Sequence, residues 1–511
     1  VLHLLPILLA CRSGGDDLAR DAVRVSMSLR GLHPSPAEVD ALLAGDVSLR
    51  ALADRWARDP AFGATVRDLH AEQLLVRFET EPHPGPLGPL AGVPPGDLAR
   101  SLDEEPLWLV ERIVTEGRPY TEILTADTTV ADLQVALAYG LSFDPDGPPL
   151  QEVRWPDGRP AAGILSSTGL WQRHMSSDTN FQRSRAHLLL SRLLCRSLDA
   201  NGDGVRFPSV QPDAVRDDPA CAACHEVLDP VASAFFGLRR YVLAGEVREA
   251  YAEGCPPGAD CYPLAFWDPS AADGWRAVGM PAPAWDGVPV DGLAALARRA
   301  AADEDFATCT ARRVARYVTR SEAPDPGAVA RWGERFAGGG HDLRALAVDV
   351  ATDPGFLDAP PVLARPEQLE RLLAQLTGQA FDARPGDGWG VVGLLTSDEH
   401  GMRSLAGGLD GWSSVRPDHA PSPTRELTYD WAASEAAAGV VAREGLGRVQ
   451  ADDEVRDLLL DLTRRWHADP EPDVGPAEDL FRDALARHGD ASRAWTVVLT
   501  ALLLDDRVVT Y

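Results

Sequence analysis

Apolar residues along this chain recur mostly three and four positions apart, and strict alternation is confined to short stretches. The pattern predicts helices over 18–29, 37–58 and 61–78, then one over 97–116 after a Pro/Gly-rich loop at 81–95. Gly31-Leu32-His33-Pro34-Ser35-Pro36 breaks the first run, and Ser35 is placed to cap a helix with Pro36 at its first position. Helical pattern resumes from Thr121 to Leu141. The stretch 143–160, dense in Pro, Gly and Asp, reads as turns holding a short hairpin. Helices are expected next at 180–198, 291–302 and 305–320, followed by a loop at 321–345 and a helix near 342–353. The last third reads as helices at 366–377, 424–445, 452–467, 475–488 and 492–504. The expected fold is mainly α: a helical N-terminal domain at 18–160, a central module at 161–360 and a helical C-terminal domain at 361–511.

The first residues depart from this pattern. Val1 to Ala10 is an apolar run too short to span a bilayer, and Leu8-Leu9-Ala10-Cys11 resembles a bacterial lipoprotein signal. The run lacks a basic start, so the chain is expected to begin inside its signal peptide, with 1–17 as remnant and tether and Cys11 as the lipidated residue. A buried N-terminal strand or helix is the alternative. Arg12 and Ser13 follow the Cys with no Asp, which points to the outer membrane. The net charge of −28 disfavours nucleic acid and anionic lipid surfaces, and suits a basic protein partner.

The chemistry centres on Cys221-Ala-Ala-Cys224-His225. At this spacing two thiols add across the vinyl groups of a haem while the adjacent imidazole ligates its iron. With seven Cys and twelve His in 511 residues, the pattern is rare by chance. In a reducing compartment it is equally a redox or zinc half-site; in an exported chain covalent haem is the stronger reading. Met280, on a Gly-Met-Pro loop after the motif, is the candidate second iron ligand, since a thioether favours ferrous iron and raises the potential. Its alternative is a loop residue packed under a Trp. His174 and Met175 are the runners-up. The order of motif, long loop with Met and closing helix at 305–320 is that of a class I cytochrome c. Pro230 is expected to end the motif helix. Asp229 caps the next turn or reaches a propionate, and Arg183, Arg185, Arg239 and Arg240 are candidate propionate partners or ordinary surface arginines.

Arg24-Val-Ser-Met-Ser-Leu-Arg-Gly-Leu-His-Pro-Ser-Pro-Ala-Glu-Val39 resembles the opening helix of the large planctomycete-type, cytochrome-c-like exported proteins. Arg118-Pro-Tyr-Thr-Glu-Ile-Leu-Thr-Ala-Asp127 and Gly163-Ile-Leu-Ser-Ser-Thr-Gly-Leu170 are similar to further stretches of that group. So are Asp178-Thr-Asn180, Arg183-Ser-Arg185 and the motif segment Asp218 to Pro230. The match is patchy, running from about 24 to 320, with a weaker continuation at Gly407-Gly-Leu-Asp410. The resemblance implies export and a cytochrome-c-like module, and supplies no substrate.

The other cysteines fit an oxidising compartment. Cys255 and Cys261 read as a local disulfide, and Cys195 and Cys309 as a bridge between the helices before and after the motif; four thiols allow three pairings. Asp199, Asn201 and Asp203 match the first half of a calcium loop, but position twelve is Val210 in place of the bidentate Glu. A weak calcium site and an ion-free Asx turn are both open. His400 and His419 read as surface residues. Three functions remain. The preferred one is electron transfer by an extracytoplasmic, lipid-anchored monohaem protein that meets a redox partner. The second is a haem-assisted oxidoreductase or a degradative enzyme with its site in the flanking domains. The third is a non-haem surface-binding lipoprotein with the motif as a structural staple.

Overall fold

A computed structural model describes residues 14–79, 85–177, 179–198, 219–239, 266–411, 414–417 and 420–511. Cys11, the Asp199–Asn201–Asp203 loop, Arg240, the Cys255–Cys261 pair and His419 lie outside the described residues. The fold is mainly α, with three two-stranded antiparallel pairs among the described residues.

The opening helices are Gly14–Arg30, Pro36–Leu43, Leu49–Trp56 and Pro60–Leu74. Ser35 forms a full capping box: its hydroxyl accepts the Glu38 N–H, and the Glu38 carboxylate accepts the Ser35 N–H at 2.8 Å. The helix expected over 37–58 is split, because Ser48 starts a second helix by accepting the Ala51 N–H at 3.2 Å.

Helix Pro95–Thr115 runs through Pro106. A proline there leaves the Leu102 carbonyl without its helical donor, and Gly169 packs against that oxygen; a Cβ on Gly169 would lie 1.7 Å from it. The residue just before the proline does the complementary work. Glu105 accepts the N–H groups of Thr168 at 3.1 Å and Gly169 at 3.2 Å and the Thr129 hydroxyl. Segment 163–173 is thereby docked on this helix.

The expected hairpin takes another form. Thr128–Ala131 pairs with Gln151–Arg154, so only one strand lies in the turn-rich stretch and the other falls where the pattern reads as helical. Thr128, Thr129 and Val130 are β-branched, which favours the extended form. Asp132 then caps the short helix Leu133–Tyr139.

Helices Gly292–Ala301 and Glu304–Thr319 stand as expected. Pro326–Gly338 is a helix inside the expected loop. Asp325 accepts the Ala328 N–H at 2.6 Å, Pro326 opens the helix, and Val329, Trp332 and Phe336 are buried at helical spacing. Three interspersed glycines dilute that pattern in the sequence. The motif helix, Pro219–Ser233, also overrides an expectation: it continues past Pro230. The carbonyl released by Pro230 belongs to Glu226, an exposed residue.

The C-terminal helices Pro366–Thr377, Pro423–Glu444, Asp452–Trp466, Gly475–His488 and Ala491–Leu503 follow the pattern closely. They pack back on the start of the chain. Gln368 donates to the Met27 carbonyl at 3.0 Å, and the His33 N–H donates to Gln375 at 2.9 Å. Arg24 spreads its guanidinium over the carbonyls of Leu357, Ala359 and Pro360, at 3.0, 2.6 and 2.5 Å. One apolar core extends from Ala19 to Tyr511, and a smaller one gathers Leu98, Leu102, Val135 and Tyr139. Cys195 and Cys309 form a disulfide with Cα atoms 5.4 Å apart, closing a separation of 114 residues. Among the described residues, no helix is long and apolar enough to cross a membrane.

Candidate functional site

Cys221, Cys224 and His225 share the motif helix at i, i+3 and i+4, which puts all three on one face. Both cysteines are free thiols and half-buried. The Cys224 thiol donates to the Leu198 carbonyl, at the end of segment 183–198. One turn beyond His225, Asp229 organises the face. Its Oδ1 lies 2.9 Å from His225 Nδ1, and Arg183 grips the same carboxylate with Nε at 2.6 Å and Nη2 at 2.8 Å. Burial alone would raise the Asp229 carboxyl; Arg183 and His225 outweigh it and hold the group below the usual carboxylate range. An ionised carboxylate only accepts, so the His225 Nδ1–H donates to Asp229 and the ring orientation is fixed.

This arrangement fits a covalently held haem. Two unpaired thiols stand beside an imidazole whose outer nitrogen is fixed by a carboxylate, the usual support for a metal-bound His. Among the described residues no three His, Cys, Asp or Glu side chains gather to hold a metal ion. A haem iron asks for less from the chain, one or two axial ligands.

The other candidates are placed as follows. Met280 is buried in the core, and its N–H donates to the Trp275 carbonyl at 3.0 Å. This turn packs on Phe236, just past the motif helix: a Cβ on Gly274 would lie 3.2 Å from that ring. His174 Nε2 lies 2.9 Å from the Leu74 carbonyl, and burial lowers its imidazole to about 4. Met175 is exposed. Of the arginines, Arg183 is committed to Asp229. Arg185 is fully buried, lies over Trp171 and Phe266, and donates to the Arg239 carbonyl. His400 sits 3.6 Å from Asp387.

A second site has no counterpart in the sequence reading. A cavity of about 580 Å³ opens between helices Pro60–Leu74, Pro95–Thr115 and Pro366–Thr377 and the segment 389–403. Trp108 and Trp389 line it, with a dense set of charges. Asp68 is shared by Arg77 at 2.7 Å and Arg371 at 2.6 Å; Glu104 binds Arg77 and, at 2.8 Å, Arg67. Burial works against both acids, but the arginines win and hold Asp68 well below, and Glu104 below, the usual range. Asp103 has the reverse balance. Burial, then the charges of Glu104 and Glu79, push it up to about 8. Glu370 rises to about 7 through burial and the nearby Asp382. The Trp389 loop closes this cavity where Gly96 leaves room: a Cβ there would lie 2.2 Å from the indole nitrogen. The clue available in the sequence is Asp103-Glu104-Glu105, three successive acids inside an apolar helix.

Compared with known proteins, the chain matches no family model, no curated protein and no solved structure.

Proposed function

We propose that this chain is an extracytoplasmic monohaem c-type cytochrome-like protein that transfers electrons. Cys221 and Cys224 attach haem c, His225 supplies the proximal ligand and Met280 the second. The observation that carries the reading is the Arg183–Asp229–His225 relay, which holds the imidazole by its Nδ1 beside the two free thiols. When bound, haem supplies one-electron exchange at iron. Asp229 orients the ring and strengthens it as a donor, and Arg183 keeps Asp229 ionised. The Leu8-Leu9-Ala10-Cys11 run supports an outer-membrane lipoprotein anchored through Cys11, and the acidic chain suits a basic redox partner. The test is a pyridine haemochrome assay on protein made in a host with cytochrome c maturation. One haem per chain is expected; protein recovered with both thiols free and no haem overturns the reading.

The charged cavity favours a second reading, a degradative enzyme acting by acid–base catalysis. Asp103 and Glu370 are pushed towards the protonated form while Asp68 and Glu104 are pushed towards the ionised form, and acids pushed apart in one cavity are the pattern of paired acid and base. A panel of chromogenic glycosides and esters tests it. Turnover that Asp103→Asn abolishes supports it, and a panel without turnover sinks it.

A further inference from the structure

A cavity of about 400 Å³ lies beside segment 183–198, lined by Arg192, Arg313, Arg316, Arg416, Glu72 and Glu322. Its charge is uneven. Glu72 is engaged by Arg365 at 3.0 Å, and Glu322 pairs with Arg316. Among the described residues no carboxylate lies within ion-pair distance of Arg192, Arg313 or Arg416. Arg313 donates to the Ser191 carbonyl at 3.1 Å, while its Nε is buried without a partner. Three guanidiniums with no carboxylate partner among the described residues repel each other around one concavity, in a chain whose net charge is −28. Burial first, and neighbouring arginines second, lower Arg192 and push Arg313 down to about 10.

The frame around these arginines is rigid. Arg313 and Arg316 sit one turn apart on helix Glu304–Thr319. Arg192 belongs to a π-turn, Leu189–Leu193, a local widening of helix often found at functional sites. The Cys195–Cys309 disulfide ties this turn to that helix, three residues after Arg192 and four before Arg313. Gln73 also clamps the Arg192 carbonyl at 2.8 Å. Arg416 approaches from a third side, on the loop 414–417.

We propose that this cavity binds a small organic polyanion, one carrying a phosphoryl or sulfuryl group or several carboxylates, through Arg192, Arg313 and Arg416. Guanidinium forks converging from three elements match multivalent oxyanions. The volume exceeds what a lone inorganic ion fills and lies within the range of small-molecule pockets. Gln73 and the Glu72 carboxylate stand at the wall to meet neutral polar groups of the ligand. The proposal is independent of haem and of the charged cavity.

The test is calorimetric titration and thermal melting of the full chain at constant ionic strength, with inorganic phosphate, sulfate and citrate as probes and chloride as control. A saturable rise in Tm with phosphate or sulfate assigns the phosphoryl or sulfuryl class, and one with citrate the carboxylate class. Chloride should produce neither. Arg192→Gln and Arg313→Gln should each weaken binding at least tenfold and, by relieving repulsion, leave the ligand-free Tm equal or higher. That opposition separates a binding role from a structural one. A response equal to chloride for every probe, or unchanged binding in both variants, overturns the proposal.

Discussion

Asp229 and Asp103 are both buried aspartates, 7% and 5% exposed, yet their carboxyls are pushed in opposite directions. Asp229 on the motif helix meets a bidentate arginine and an imidazole within 2.9 Å. Asp103 in the charged cavity meets burial and two further acids, while Arg77 beside it is spent on Asp68 and Glu104. Depth does not decide the charge of a buried acid; the geometry of its partners does. One region therefore stores a fixed negative charge beside the Cys-x-x-Cys-His face, and the other stores a proton beside an open cavity.

The largest way to break this comparison is at the thiols. Cys221→Ser with Cys224→Ser should remove all covalently held haem, read as loss of the haemochrome from denatured protein. Met280→Ala comes next. As a buried methionine it should cost about 2–5 kcal/mol by urea unfolding. As an iron ligand it should also lower the reduction potential and open a carbon monoxide site. A stability loss with unchanged spectrum and potential assigns Met280 to packing alone.

Asp229→Asn should cost about 1.5–3 kcal/mol at neutral pH, because it strips Arg183 of its charged acceptor. The folded value of Asp229 is depressed, so its stabilisation is present above the unfolded value and fades as pH falls through the folded one. Melts at a series of pH values from neutral downwards should show parent and variant converging. The effect at Asp103 carries the opposite sign. Asp103 is raised from 3.8 to about 8, so the folded state holds a proton that the unfolded chain releases, and the parent loses stability from about pH 4 to about pH 8. Asp103→Asn should remove that decline and gain on the parent as pH rises, read from urea midpoints at pH 4, 6 and 8. A variant equally weakened at all three would mean that the ionised carboxyl has a partner in the fold.

The contrast also marks what the chain discloses before folding. The Cys-x-x-Cys-His face is legible because one helix carries it within five residues. The capping box at Ser35 and the C-terminal helices are legible for the same reason, as local signals in series. The Cys195–Cys309 bond was within reach because few thiols remained to pair. The charged cavity is not legible: Arg67, Arg77, Asp103, Glu370, Arg371 and Arg403 come from distant segments and share nothing in periodicity. The helix Pro326–Gly338 was hidden by its glycines, and the strand Thr128–Ala131 by an apolar spacing that suits either form. Pro230 shows the limit of reading punctuation one residue at a time, since the helix runs on past it to Ser233.

The partners of the first helix and the loop after it set a clock on synthesis. Arg24, Met27 and His33 find their hydrogen bonds at residues 333 to 342 positions later in the chain. At a ribosomal rate of about 5–20 residues per second, those partners emerge roughly 20–70 s after the helix does. Through that interval the Arg24 guanidinium depends on water, so the surface that later becomes the seam between the two ends of the chain stays open. A nascent chain halted at Asp358 should accordingly expose that seam to protease, and one extended past Gln375 should protect it.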